Sequence, residues 1–303
     1  MLKVDRIALI PHAPGLNVAD VYRVAAAIQQ QVLAHFARDW HLSAGVAVQS
    51  EPSDGVVPVF IVSDDLGGLA GFHMLKNGWP YAVVRYGPTW SVAASHEVLE
   101  LIADPTGDRT ALGNWSGGPC SYVVEVCDPC QLVNYPCNGV LVSDFCLPAY
   151  YEQNPPPGSQ LSWCNAIKGP KQVLPGGTLA WITQTSQLMQ ATVDAAGVGR
   201  VATLGSYTPG VLGARAQLGA LDQTYTRLSH LKLSSAERKA LNEAKREATS
   251  RRRTVVKLFK DEMQRRLQVS NFQPIQGGGN AKPSDGPDVR PRARRMRSAQ
   301  GPV

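Results

Sequence analysis

The chain has 303 residues, 44% hydrophobic and 18% charged, enough to bury the core of one large domain or two modest ones. No run of about 18 apolar residues occurs, which predicts no transmembrane segment. Asp5 and Pro11 bracket the short apolar run Ile7–Ile10, a poor signal peptide, so the expected location is cytoplasmic or reached by a non-classical export route. The net charge of +6 is unevenly divided: residues 1–230 hold 12 Lys+Arg against 17 Asp+Glu, a net −5, whereas residues 231–303 hold 18 against 7, a net +11. An acidic body and a basic extension need separate explanations.

In chain order, the first thirteen residues read as a short strand. Asn17 then caps a helix that runs to about Trp40, with Val21, Val24, Ala25, Ile28, Val32 and Phe36 at helical spacing. Val56–Val62 and Tyr81–Tyr86 read as strands, the second stopped by Gly87-Pro88. Val92–Ala103 is a helix with Ser91 or Thr89 as its cap and Pro105 beyond its end. From Tyr122 the pattern turns to β, with strands over Tyr122–Val126 and Val140–Phe145 joined through a Cys-rich loop. Leu179–Ala191 fits either a strand or a helix. Ser234 or Ser235 caps a charged helix from Ala236 to about Leu267, and residues 269–303, rich in Gly, Pro and Arg, read as a disordered tail.

The helix over Val92–Ala103 carries the chemistry. His96 and Glu100 stand at i and i+4, one turn apart on one face, so both can point at one ion. Glu97 lies to one side, placed to act as a general base. This is the spacing of the metalloprotease signature in which two His flank a Glu, with Glu100 in place of the second His. A His/Glu pair is harder and more anionic than His/His, so zinc, manganese and calcium are all admissible ions. Asp104, at i+8, can be a ligand, a partner to a ligand, or a cap for the following turn. Glu125, on the strand, and Asp128, in the next loop, are candidates for the third ligand. Helices often display acids to solvent, but these four polar residues interrupt an otherwise apolar helix, and buried polar groups need partners.

The segment Trp90–Pro105, with Ser95-His96-Glu97-Val98-Leu99-Glu100 at its centre, resembles the core of a poorly characterised group of bacterial proteins. Val124–Pro129 and Val142–Phe145 resemble the same group. The wider similarity is to zincin metallopeptidases, in which an edge strand precedes the metal helix, and it covers about residues 55–185. The resemblance implies a zincin-like fold and metal-dependent peptide hydrolysis.

His73 lies upstream of the expected edge strand and can either face the cleft, stabilising an oxyanion, or be an ordinary half-buried histidine. The six cysteines fall between Cys120 and Cys164. Cys127 and Cys130 have the gap of half a zinc ribbon, to which Cys137 could add a thiolate, and the even count also permits disulfides, of which at least one is expected. The basic extension can meet an anionic partner (nucleic acid, an acidic protein or a membrane surface) or be merely solvated.

The expected fold is therefore α+β: a zincin-like domain over residues 1–207, with a mixed sheet, a metal-site helix and a β-rich Cys-containing segment, then a helical basic extension over 208–268 and a disordered basic tail over 269–303. The expected function is a metal-dependent hydrolase, most simply a zinc peptidase acting on peptide or protein substrates. Its metal residues are drawn from His96, Glu100, Glu125, Asp104 and Asp128, with Glu97 and His73 as catalytic residues. The alternative is a non-catalytic zincin-like protein that docks through its basic extension.

Overall fold

Strand β1 (Arg6–Pro11) is apolar along nearly its whole length, as a strand covered on both faces must be. It pairs in parallel with β2 (Gly45–Val48) on one side and with β3 (Val57–Val62) on the other. β4 (Gly71–Lys76) and β5 (Trp79–Arg85) form a hairpin, and β5 pairs in parallel with β3. The resulting five-stranded sheet has the order β2-β1-β3-β5-β4, with β4 as its antiparallel edge. The hairpin turns on Asn77 and Gly78, at φ 51° and 78°, the left-handed pair that a two-residue loop of matching twist requires. The edge strand is thus β4, and β5, the edge expected from the sequence, is interior.

This computed structural model describes residues 2–115 and 118–207, with separate helical positions between 235 and 257. The chain divides into two units, residues 1–252 and 253–303, and the fold described lies in the first. Most of the helix expected over 236–267, and the whole tail expected over 269–303, lie outside the described residues. Among the described residues no helix is long and apolar enough to cross a membrane.

The strands' alternation gives the sheet two apolar faces. Ala8, Ile10, Phe60, Val62, Phe72, Met74, Tyr81 and Val83 pack together on one side. Ile7, Leu9, Val59, Ile61, Ala82 and Val84 join the main core with the helices. On β4 this parity puts Phe72 and Met74 on the first side, so His73 faces the helices.

Helix α1 (Val18–Gln30) begins at Asn17, whose side chain accepts a hydrogen bond from the Ala19 amide at 3.0 Å. The helical run reaches Trp40 as expected, but through a π-helical turn at Gln31–Phe36 before α2 (Ala37–Trp40). Helix α3 (Trp90–Ala103) is buried at every position from Ala94 to Ala103. Thr89 takes its N-cap position without a side-chain bond, while the Ser91 hydroxyl donates to the Leu141 carbonyl at 2.8 Å. Burying Val98, Leu99, Leu101 and Ile102 contributes about 1.5–3 kcal/mol each. That gain offsets the cost of burying two acids, Glu97 and Glu100, on the same helix.

Beyond α3 the chain is mostly β. β6 (Thr110–Trp115) pairs with β7 (Gly118–Val123), and β8 (Asn134–Cys137) forms a hairpin with β9 (Val140–Ser143) around a second Asn-Gly turn. A short α4 (Pro148–Tyr151) follows. β10 (Thr178–Thr183), β11 (Gln187–Val193) and β12 (Gly199–Ser206) complete an antiparallel sheet of order β12-β11-β10-β7-β6. The ambiguous segment Leu179–Ala191 is therefore two strands, reversed near Ser186 at φ 55°. β7 ends at Val123, not Val126, so Glu125 is a loop residue. The Val124 amide still bonds the Arg109 carbonyl of the β6 side, and the chain then turns away, the Val126 carbonyl accepting the Cys146 amide instead.

The expected disulfide is absent: all six cysteines are free thiols, five of them buried. Cys137 does not join Cys127 and Cys130 but packs against Ala27 and Val142, its thiol donating to the Ala27 carbonyl at 3.4 Å. The chain is a mixed α+β protein with several sheets and few helices.

Candidate metal centre

Three elements converge on one buried point: α3, the edge strand β4, and the loop after β7. Helical spacing puts His96 and Glu100 on one face of α3, with the His96 Nε2 atom 3.2 Å from Glu100 Oε2. The loop supplies Asp128, whose Oδ1 lies 3.3 Å from the same nitrogen. Asp128 is held in that pose by Thr178, whose hydroxyl donates to Oδ2 at 3.1 Å. The 3-10 turn Asp128–Cys130 and the Cys127 amide, which bonds Glu100 Oε1 at 3.3 Å, fix the loop against the helix.

His73 enters from β4. Its Nδ1 lies 3.1 Å from Glu97 Oε2 and 3.4 Å from Glu100 Oε2, and its Nε2 lies 3.7 Å from Glu125 Oε2. The half-buried alternative for His73 thus does not hold: it is 4% exposed and stands among three carboxylates. Glu97 can lie against β4 because position 71 is glycine. A Cβ there would sit 2.9 Å from Glu97 Oε1 and 3.1 Å from the Val83 carbonyl.

Asp104 is fully buried but serves the chain's own turn. Its Oδ1 accepts the Asp108 amide at 3.2 Å and its Oδ2 the Arg109 amide at 2.9 Å. Of the three roles open to it, its hydrogen bonds describe the cap. Burial pushes its carboxyl up to about 6, against the lowering effect of those amides and of His73. Asp144 plays a similar part, its Oδ1 accepting the Phe145 and Cys164 amides.

Burial by itself pulls the His96 imidazole down, but the carboxylates of Glu100, Asp128 and Glu97 outweigh it and hold the group well above the ordinary histidine range. Cys127 belongs to the same neighbourhood: a ligand atom from each of His96, Glu100 and Cys127 falls within 4.8 Å of the others. Burial, reinforced by Glu100 and Cys130, raises its thiol well above the usual value, and the thiol points at the His96 carbonyl at 3.8 Å. It is a neutral donor in this arrangement. No sequence signal marked Cys127 as a neighbour of His96, because only the loop's return to α3 brings them together.

The donor set fits a divalent cation: an imidazole and carboxylates from separate elements, gathered where water is largely excluded. Glu97, Glu100 and His73 form the floor. His96, Glu125 and Asp128, with side chains 10%, 10% and 13% exposed, form the solvent-facing rim. No family model, no curated protein and no solved structure matches this chain.

Proposed function

We propose that the chain is a metal-dependent hydrolase of zincin type, most simply a peptidase, with His96, Glu100 and Asp128 holding zinc or manganese. The observation that carries the reading is the approach of the His96 ring nitrogen to carboxylates from two different elements, at 3.2 and 3.3 Å. Three protein ligands leave one coordination position for water or substrate, the arrangement of a catalytic rather than a closed site. The antiparallel edge strand ahead of α3, and the Ser-His-Glu-x-x-Glu helix itself, support the zincin-like part of the reading.

An ion so held would lower the pKa of a bound water and polarise a carbonyl. The proton acceptor is then Glu125. Glu97, the base expected from the helix spacing, is 2% exposed with its carboxylate turned to His73, whereas Glu125 sits at the rim with His73 Nε2 behind it.

The test is a peptide-library screen with ion content measured alongside. Glu125→Gln keeps its ion and loses hydrolysis by about 100- to 10,000-fold, the range for a missing general base. Peptides cleaved equally by both proteins rule Glu125 out as the base. A second reading, a non-catalytic protein in which the ion only clamps α3 to the 124–128 loop, draws on the deep burial of Glu97 and Glu100. It prevails if the ion-loaded wild type cleaves nothing.

A further inference from the structure

We infer that the centre holds two cations, the second on His73, Glu97 and Glu100, with Glu100 shared between them. This deepens the metal reading above and rests on it. Ligand atoms of His73, Glu97 and Glu100 all lie within 4.8 Å of one another, separately from the His96 group. Glu100 Oε2 is the point both imidazoles reach, 3.2 Å from His96 Nε2 and 3.4 Å from His73 Nδ1. A carboxylate so placed can bridge two ions, and paired ions stabilise attacking and leaving oxygens together.

Charge makes the same argument independently. Glu97, Glu100, Glu125 and Asp128 bring four carboxyl groups into a site where each is buried or nearly so. Two histidines, even both protonated, offset half of that charge, and a ligating histidine is neutral. Fully ionised, the four carboxylates carry −4, which two divalent ions balance and one does not. The second ion also accounts for Glu97, which points away from the rim toward β4, and for the bare Gly71 backbone that lets it do so.

The experiment counts ions in the full-length protein. The chain is stripped with a chelator, dialysed against excess manganese(II), freed of unbound metal and analysed for manganese per chain. Wild type holds about two, and His73→Ala holds about one. Paramagnetic resonance of the loaded wild type reads the bridge: two ions sharing Glu100 are exchange-coupled, and the six-line signal of an isolated manganese ion collapses. Should His73→Ala fail to fold, the wild-type count and spectrum still decide. One ion in wild type overturns the second site and leaves the first standing. Two ions with an uncoupled spectrum, or two retained by folded His73→Ala, place the second ion elsewhere and overturn the inference. No bound ion brings down both readings.

Discussion

His73 Nδ1, on the edge strand, lies 3.1 Å from Glu97 Oε2, on the helix, and this contact joins the sheet to the candidate metal centre. It depends on Gly71, two residues before His73 on the same face of β4. Any side chain there meets Glu97 Oε1 and the Val83 carbonyl at contact distances well inside van der Waals range. Backbone strain plays no part, because Gly71 is not in the left-handed region.

Gly71→Ala therefore displaces the Glu97 carboxylate and presses on the Val83 carbonyl of β5. Ion binding should weaken by about 10- to 100-fold, the usual effect of disturbing a group that orients metal ligands. Titration calorimetry with manganese checks it, with circular dichroism as the control for folding. Unchanged affinity would mean that Glu97 does not need its present pose.

His96→Ala removes the imidazole that faces both Glu100 and Asp128. Breaking a buried charged pair by deleting one partner costs on the order of 3–5 kcal/mol. The variant should lose the ion held with Glu100 and Asp128 and melt at lower temperature even with chelator present. If elemental analysis finds the same ion content as wild type, His96 is not a ligand.

Asp104 gives the pH dependence. Its carboxyl is raised from 3.8 to about 6, chiefly by burial. The folded chain thus binds the proton more tightly than the unfolded chain does. The associated stability is fully present below pH 3.8 and is lost as pH rises through about 6. A shift of this size is worth about 3 kcal/mol at most. Asp104→Asn, which does not titrate, should flatten this decline between those two pH values in metal-free protein, read from denaturant midpoints. Because Asp104 caps the turn at Asp108 and Arg109, its ion content should match wild type; a lost ion would make it a ligand.

The thiols offer a simple count. Only Cys164 is exposed, and its thiol is pushed up to about 12 by burial and by the neighbouring Asp144 carboxylate. Native protein should show one slowly reacting thiol toward an aromatic disulfide reagent. Denatured, unreduced protein should show all six. Fewer than six after denaturation would reveal a disulfide that forms in the purified chain.

Local rules account for much of this protein. Asn17 caps its helix because a short side-chain oxygen reaches an amide that the helix leaves open. His96 and Glu100 share a face because 3.6 residues make a turn, and no tertiary fact is needed for that. Strands β3 and β5 are visible as β-branched runs between turn residues. The Asn77-Gly78 pair is an equally local hairpin signal, and it is the feature of the sequence that marks β4 as the partner of β5.

Other features depend on partners far along the chain. Whether His73 faces α3 or the opposite apolar cluster is decided by the register of β4 on β5, and a one-residue slip would reverse it. The choice of Asp128 over Glu125 as the carboxylate facing His96 depends on where β7 stops. Bonds from Cys146 to Val126 and from Cys127 to Glu100 draw the following loop away across 20 and 27 residues. Pairing two imidazoles on one carboxylate likewise needs a sheet edge, a helix and a loop in register. The sequence determined which groups could bind an ion; only packing decided which of them meet.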